Sequence, residues 1–240
     1  MLQNNKDISY DNISGDLCKY INKLPNEIKL EILEYLPFEK LVSIDNVLAN
    51  KKFNIRKHTW TYAARNGYLN VVKWLHFNDI KNYNSNVVDL ASYHGYLDII
   101  RWLSKFKNEG FTTNAIDLAS KNGHLNVIKW LHFYRNEGCT HHAMDWAAEN
   151  NYLDVVKWLH YNRNEGCTTD AMDYAASKGN IEVIKFLYYN RNEGCSFRAM
   201  SFASQKGYRE VVKFLREHYG HVLEDKKLRN YLYSNYYYMD

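Results

Sequence analysis

The stretch that decides the fold is Ala175-Ala176-Ser177-Lys178-Gly179-Asn180-Ile181-Glu182-Val183-Ile184-Lys185-Phe186-Leu187. Residues Thr169–Lys178 contain no Gly or Pro and are rich in alanine, which favours a short first helix. Gly179 then ends this helix, because the chain must enter positive φ there. The apolar residues of 181–188 recur at helical spacing, so a second helix is predicted to end at about Tyr188. The pattern is therefore helix, turn, helix, followed by a polar loop.

The same phrase occurs six times at an interval of 28 residues. An alanine lies four residues before each turn, and a leucine lies eight residues after it. The turn residues are Gly67, Gly95, Gly123, Asn151, Gly179 and Gly207. Asn is the commonest substitute for Gly at positive φ, so Asn151 fits the series. Residues 55–222 are thus interpreted as six repeats, 55–82, 83–110, 111–138, 139–166, 167–194 and 195–222.

A single helix pair cannot bury both of its faces, so neighbouring pairs must stack to close a core. We therefore predict an all-α fold, a solenoid of stacked helix-turn-helix repeats. Residues 1–22 form a polar segment ahead of it, and the Tyr-rich residues 223–240 are expected to cap its far end.

The repeat resembles the ankyrin repeat, whose alanine pair, turn glycine and following aliphatic residues match 175–187. Two departures are visible. Asp89, Asp117, Asp145 and Asp173 stand where the family has His, and we expect these carboxylates to bond turn N–H groups. The period is also shorter than the 33 residues of the family. The resemblance implies that the β-hairpin finger is reduced to a simple loop. Arrays of this divergent kind are known from amoebae and large DNA viruses.

Residues 23–54 resemble a second family, the F-box, a motif that docks on a Skp1-type adaptor of cullin ubiquitin ligases. The matching positions that would bind the adaptor are Leu24, Pro25, Ile28, Ile32, Leu33 and Leu36. The ending departs from the family, because Val47 is followed by Leu48-Ala49-Asn50-Lys51 in place of the usual Ser-Lys-Arg-Trp. The alternative is that these helices only cap the first repeat.

Composition excludes several function classes. The net charge of +4 is too small to indicate nucleic acid or an anionic membrane as the partner. No apolar run reaches the ~18 residues that span a bilayer, and the polar N-terminus lacks a signal-peptide core. We therefore expect an intracellular protein, cytoplasmic or nuclear, in the host cell if the protein is viral.

No cofactor, metal site or catalytic constellation is expected. The sequence lacks phosphate-cradling loops, nucleophile elbows and zincin motifs. Cys139, Cys167 and Cys195 are 28 residues apart, so neighbouring repeats would hold them ~10 Å apart, too far for a disulfide. We expect them to be small buried apolar residues.

Two ladders run along the second helices. One is aromatic, Trp74, Trp102, Trp130, Trp158, Phe186 and Phe214, and the other is basic, Lys73, Arg101, Lys129, Lys157, Lys185 and Lys213. Aromatic and basic ladders could bind single-stranded nucleic acid. We favour a structural interpretation, in which each ring packs on the next repeat's ring and the cations are neutralised by acids three residues earlier.

The positions that vary between repeats are the candidate binding site for a protein target. They lie before each turn and beside the shortened finger: Arg65, Asn66, Tyr93, His94, Lys121, Asn122, His141, Glu149, Asn150, Ser177, Lys178, Gln205 and Lys206. We expect a monomeric, non-enzymatic interaction scaffold, which would serve as an F-box/ankyrin substrate adaptor. The alternatives are a plain ankyrin scaffold that sequesters its partner and, third, a nucleic-acid binder.

Overall fold

The structure is a computed structural model, and it describes residues 59–77, 79–81, 83–107 and 109–220. The F-box-like positions Leu24, Pro25, Ile28, Ile32, Leu33 and Leu36, Cys18 and the C-terminal segment 223–240 lie outside the described residues. Over the described ranges the chain forms helices and no strand.

Twelve helices are found in the described part of the chain, two for each repeat. They are α1 Thr59–Asn66, α2 Leu69–Phe77, α3 Ser85–Tyr93, α4 Leu97–Phe106, α5 Asn114–Lys121, α6 Leu125–Tyr134, α7 His142–Glu149, α8 Leu153–Asn162, α9 Thr169–Lys178, α10 Ile181–Asn190, α11 Phe197–Gln205 and α12 Arg209–Tyr219. Odd-numbered helices are the first helices of their repeats, and even-numbered helices are the second. The prediction of an all-α fold of stacked repeats is confirmed.

The helices belong to two compact units. Unit 1 holds the described residues up to Ala91 together with Asp98–Gly110. Unit 2 holds Ser92–Leu97 together with the described residues from Phe111 onward. In unit 2 the first helices of successive repeats, α5, α7, α9 and α11, pack side by side, and each also packs on its own second helix.

The invariant positions of the repeat form the core. The alanine four residues before each turn is fully buried in all six repeats, and the leucine after each turn is at most 2% exposed. Alanine has no side chain beyond Cβ, so neighbouring first helices can approach closely, and leucine fills the space between the two layers. The repeated alanines therefore set the spacing of the first helices, and the repeated leucines fill the core.

The turns have the backbone conformation that the sequence predicts. Gly179 ends α9 with φ of 79° in the left-handed region, and its N–H donates to the last turn of the helix. Asn151 occupies the same conformation with φ of 64°. A residue of the next repeat packs against the turn. At Gly123 this residue is Tyr152, and a Cβ added to Gly123 would lie 2.5 Å from its ring, so the turn requires glycine there. Asn180 stands at the repeat position of Tyr152 and follows the turn at Asn151. It is smaller than tyrosine, and its side chain donates to Ala148 O at 3.0 Å and to Glu149 O at 2.8 Å.

The second helix of the fifth repeat is longer than predicted. We expected it to end at about Tyr188, and α10 continues to Asn190. The Asn190 side chain donates to Phe186 O at 2.8 Å, which satisfies a carbonyl of the last turn. The chain leaves the helix only at Arg191, where φ is −131°.

None of the helices in the described ranges is both long and apolar enough to cross a bilayer.

Candidate protein-binding site

The candidate site is built on a ladder of buried carboxylates that joins the third, fourth and fifth repeats each to the next. Asp117 accepts from Thr140 N at 2.8 Å and from Thr140 Oγ1 at 2.7 Å. Asp145 accepts from Thr168 N at 2.9 Å and from Thr168 Oγ1 at 2.8 Å. Asp173 accepts from Ser196 in the same way. The expectation that the aspartates bond backbone N–H groups is confirmed for Asp117, Asp145 and Asp173, and in each case the N–H belongs to the following repeat.

The environment of these carboxylates shifts their pKa. Burial raises the pKa of Asp117 and outweighs the hydrogen bonds from Thr140, which lower it. Asp145 is affected in the same direction, since burial again exceeds the effect of Thr168. Both groups are hydrogen-bonded on two oxygens, so they are structural ties between repeats rather than acids positioned for catalysis.

The shortened finger is a loop with its own repeated motif. Arg-Asn-Glu-Gly-Cys occurs at 135–139, 163–167 and 191–195. In each copy the Arg guanidinium pairs with the Glu carboxylate two residues later. Glu165 also accepts from Cys139 N of the preceding loop at 3.4 Å, and Arg163 lies against Gly138, where a Cβ would be 2.9 Å from Nη2. The described loops contain no strand, so the prediction that the finger is reduced to a loop is confirmed. The Arg163–Glu165 pair of one loop contacts Gly138 and Cys139 of the preceding loop.

The cysteines are buried or half-buried behind these loops. Cys139, Cys167 and Cys195 are all free thiols, as predicted from their spacing. Burial raises the pKa of each to about 12, and for Cys139 the neighbouring Glu165 adds to the effect. Thiols with such a pKa are protonated at neutral pH and are poor nucleophiles.

The aromatic ladder of the second helices packs differently from the prediction that each ring contacts the next ring of the ladder. Four of its rings, Trp102, Trp158, Phe186 and Phe214, contact instead the aromatic residue that follows the preceding repeat's ladder residue by two positions. Trp130 stacks on Tyr134 of its own helix. Trp158 meets His132 edge-on with ring centroids 5.1 Å apart, and Phe186 meets His160 at 5.5 Å. His132 and His160 lie in the last turns of α6 and α8. Trp130 and Trp158 are half-buried, so these rings are packing elements.

The predicted partner-binding residues divide into two groups. The first group bonds its own helix: the side-chain amides of Asn66, Asn122 and Asn150 donate to Tyr62 O, Leu118 O and Trp146 O, and Ser177 Oγ donates to Tyr174 O. These four side chains each donate to a carbonyl three or four residues earlier in the chain. Their donors are therefore used within the first helices.

The second group lies at the surface. Arg65, Lys178, Gln205, Lys206 and His141 are exposed, whereas Tyr93, His94, Lys121 and Glu149 are half-buried. Tyr93 and His94 have ring centroids 4.9 Å apart. Arg65 belongs to unit 1 and the others to unit 2.

Sequence reasoning missed the residue directly after each buried aspartate. In unit 2 it is Leu118, Trp146 or Tyr174, and Phe202 has the same repeat position after Ser201; each of the four is half-buried. Lys121 Nζ lies 5.0 Å from the Trp146 ring centroid, and the Arg198 guanidinium lies 5.7 Å from that of Tyr174. Each of these cations comes from a neighbouring repeat. The signal was available in the sequence, since the position is always apolar yet changes between repeats.

We call this surface of unit 2 the first-helix face. It comprises Lys121, His141, Trp146, Glu149, Tyr174, Lys178, Arg198, Gln205 and Lys206. Equivalent positions of side-by-side helices lie on the same side of a stack. The face therefore offers aromatic surface with cations above it, a composition enriched in protein-binding sites.

A second exposed feature lies on the second helices. Phe133, Tyr161 and Tyr189 share one repeat position and are 69%, 70% and 69% exposed. We call these three residues the outer ladder. Lys185, four residues before Tyr189, is paired with Glu182 at 2.8 Å.

The repeats identify the family. A family model described as "Ankyrin repeats (3 copies)" matches residues 60–145, 90–173 and 144–227. The chain belongs to the ankyrin repeat family. Ankyrin repeats are non-enzymatic modules that bind protein partners. A comparison with curated proteins finds no match to this chain.

Proposed function

We propose that this chain holds a protein target on the first-helix face. The observation that carries the proposal is the pairing of a cation from one repeat with an aromatic ring of its neighbour, at Lys121 over Trp146 and at Arg198 over Tyr174. Half-exposed aromatic rings and arginine are the residues that most often dominate binding energy at protein interfaces. The core alanine and leucine positions recur in every repeat. The residues of the first-helix face differ between repeats, as recognition of one particular target requires.

We further propose that the N-terminal segment recruits a Skp1-type adaptor, so that the bound target is presented to a cullin-type ubiquitin ligase. The support is the sequence resemblance of residues 23–54 to the F-box, with Leu24 and Pro25 at its start. In this account the chain acts as a monomer inside the cell and has no catalytic residue, because the transfer chemistry belongs to the partner proteins.

Co-purification tests the adaptor step. The full chain is mixed with a purified Skp1-type adaptor and compared with Leu24→Ala/Pro25→Ala. The control is Lys29→Ala/Glu31→Ala, which changes two polar positions of the same segment. We expect the wild type and the control to retain the adaptor and the Leu24/Pro25 variant to lose it.

Two results would oppose the adaptor step. If the wild type does not retain the adaptor, the chain is a plain ankyrin scaffold that sequesters its partner. If all three proteins retain it equally, the F-box-like positions are not the contact.

Protein rather than nucleic acid is the proposed ligand. Trp158 and Phe186 of the aromatic ladder pack against His132 and His160, which leaves less of these two rings for base stacking. Lys185 of the basic ladder is paired with Glu182. A salt-sensitive shift of single-stranded DNA at low salt would contradict this choice.

A further inference from the structure

Three potential metal ligands converge at the start of α7. They are His141, His142 and Asp145, and their ligand atoms all lie within 4.8 Å of one another. The two imidazoles are exposed, and the carboxylate is buried. Imidazole nitrogen and carboxylate oxygen are both ligands of Zn²⁺.

The Asp145 carboxylate is held in a fixed orientation. It accepts from Thr168 N at 2.9 Å and from Thr168 Oγ1 at 2.8 Å. An ionised carboxylate has about four lone-pair sites, so these two bonds leave acceptor capacity on both oxygens. Carboxylates that ligate metals are commonly fixed by such hydrogen bonds from a neighbouring group.

The two imidazoles can reach this carboxylate by small rotations. Their ring centroids are 4.2 Å apart, and His141 has φ of −56° and ψ of −25° at the helix start. Zinc bonds of about 2.0–2.1 Å in a tetrahedron place ligand atoms roughly 3.4 Å apart. The gap between that value and the observed limit of 4.8 Å is within the reach of exposed side chains.

The histidine pair occurs in one repeat only, although the aspartate recurs. The corresponding pairs in the other repeats of unit 2 are Thr113-Asn114, Thr169-Asp170 and Phe197-Arg198. The buried carboxylate is thus part of the common scaffold, and the fourth repeat alone adds two imidazoles above it.

We propose that His141, His142 and Asp145 form a three-ligand site for a divalent transition metal ion of the Zn²⁺ class. Three protein ligands leave a fourth tetrahedral position open. The site adjoins Trp146, whose ring is stacked on His142 with centroids 4.8 Å apart. The open position therefore lies on the first-helix face, where a ligand atom from a bound protein would complete the coordination. Metal binding itself is independent of the proposed target.

The test is calorimetric titration of the chelator-treated full chain with ZnCl₂ near pH 7.5, followed by titration with Co²⁺ as a spectroscopic probe. We expect a single equivalent of metal and the visible absorption of tetrahedral Co²⁺. The matched variant is His141→Thr/His142→Asn, which installs the residues of the preceding repeat. Removing a group that only hydrogen-bonds to a metal ligand lowers metal affinity roughly 10–100-fold. This variant removes two ligands, so its affinity for Zn²⁺ should fall by more than that.

A transplant provides the converse experiment. Thr113 and His141 have nearly the same backbone conformation, with φ of −57° and −56°, and Asp117 is bonded by Thr140 as Asp145 is by Thr168. Thr113→His/Asn114→His should therefore create a second equivalent of binding. Circular dichroism checks that each protein is folded. The single variants His141→Thr and His142→Asn measure the contribution of each imidazole separately.

Two outcomes overturn the proposal. One is the absence of stoichiometric zinc binding by the folded wild type. The other is undiminished binding by folded His141→Thr/His142→Asn, which would place the metal elsewhere in the chain.

Discussion

Asp145 of the fourth repeat accepts two hydrogen bonds from Thr168 of the fifth, one from the backbone N–H at 2.9 Å and one from the hydroxyl at 2.8 Å. The same hydroxyl accepts from Asp170 N and thereby caps α9. One side chain thus starts a helix and joins it to the preceding repeat. Since the stability of a repeat array is a sum of units and interfaces, this contact is a direct contribution to the interface term.

Substitution at Thr168 tests this double role. Thr168→Val keeps the shape but removes the hydroxyl, so it loses the cap and one bond to the carboxylate. We expect the free energy of unfolding to fall by about 1–3 kcal/mol in urea titrations. Thr168→Ser is the matched control, because Ser196 makes the equivalent contact to Asp173. A Val variant as stable as the Ser variant would contradict the assignment.

Glycine positions in the turns are predicted to differ in their tolerance of alanine. Gly123 and Gly207 both have φ of +75°, so each substitution costs about 1–2 kcal/mol of backbone strain. At Gly123 the new Cβ also meets Tyr152 at 2.5 Å, whereas nothing lies within 4 Å at Gly207. Gly123→Ala should therefore destabilise the fold by about 1–3 kcal/mol more than Gly207→Ala.

The natural Asn151 and Asn180 pair suggests how to relieve that clash. Gly123→Asn/Tyr152→Asn reproduces the pair one repeat earlier and should be more stable than Gly123→Asn alone. Denaturant unfolding of the single and double variants measures the coupling. A double variant whose loss equals the sum of the two single losses would show that the ring does not set the requirement for glycine.

Acid sensitivity is predicted for the Arg–Glu loops. Burial tends to raise the pKa of Glu165, but hydrogen bonds from Arg163 and from backbone N–H groups outweigh it and lower the pKa to about 2. A pKa lower in the folded than in the unfolded state stabilises the fold above the unfolded value of 4.5, and this contribution is lost as the pH falls towards 2. Wild type should therefore exceed Glu165→Gln in stability at pH 6, with the difference shrinking between pH 4.5 and 2. A difference that does not change with pH would oppose the assignment.

Thiol reactivity reports on the packing behind the loops. Because burial raises the pKa of Cys139, Cys167 and Cys195 to about 12, these thiols should react slowly with a disulfide reagent at pH 8 and rapidly in urea. A Cys18→Ser background confines the signal to these three residues. Full labelling of the native protein at the rate of the unfolded chain would contradict the buried placement.

The sequence predicted the parts of the fold that depend on local chemistry and strict repetition. Helix α9 was expected at Thr169–Lys178 and has those bounds, because Gly179 can adopt positive φ at no steric cost. The end of α10 was placed two residues early, because the side-chain bond from Asn190 to Phe186 O was not anticipated.

The candidate site was less predictable, because exposure and variability do not reveal which side chains bond their own helix. Asn122 and Asn150 were assigned to recognition, and their amides donate to carbonyls four residues earlier. Trp146 was not predicted, because it directly follows a core aspartate and nothing in its sequence position distinguishes a half-buried ring from a buried one. Its cation partner Lys121 lies 25 positions earlier, so their contact exists only once the repeats stack.

Capture of the protein target with two matched surface variants tests the central claim most directly. Trp146→Leu/Lys178→Asn alters the first-helix face using residues that Leu118 and Asn150 provide at the same repeat positions. Tyr161→Lys/Tyr189→Glu alters the outer ladder using the residue types of Lys105 and Glu217. Cell proteins retained on immobilised wild-type chain are quantified against those retained on each variant. We predict that a specific target is retained by the wild type and by the outer-ladder variant and is lost from the first-helix variant. Retention by the first-helix variant with loss from the outer-ladder variant would contradict the account.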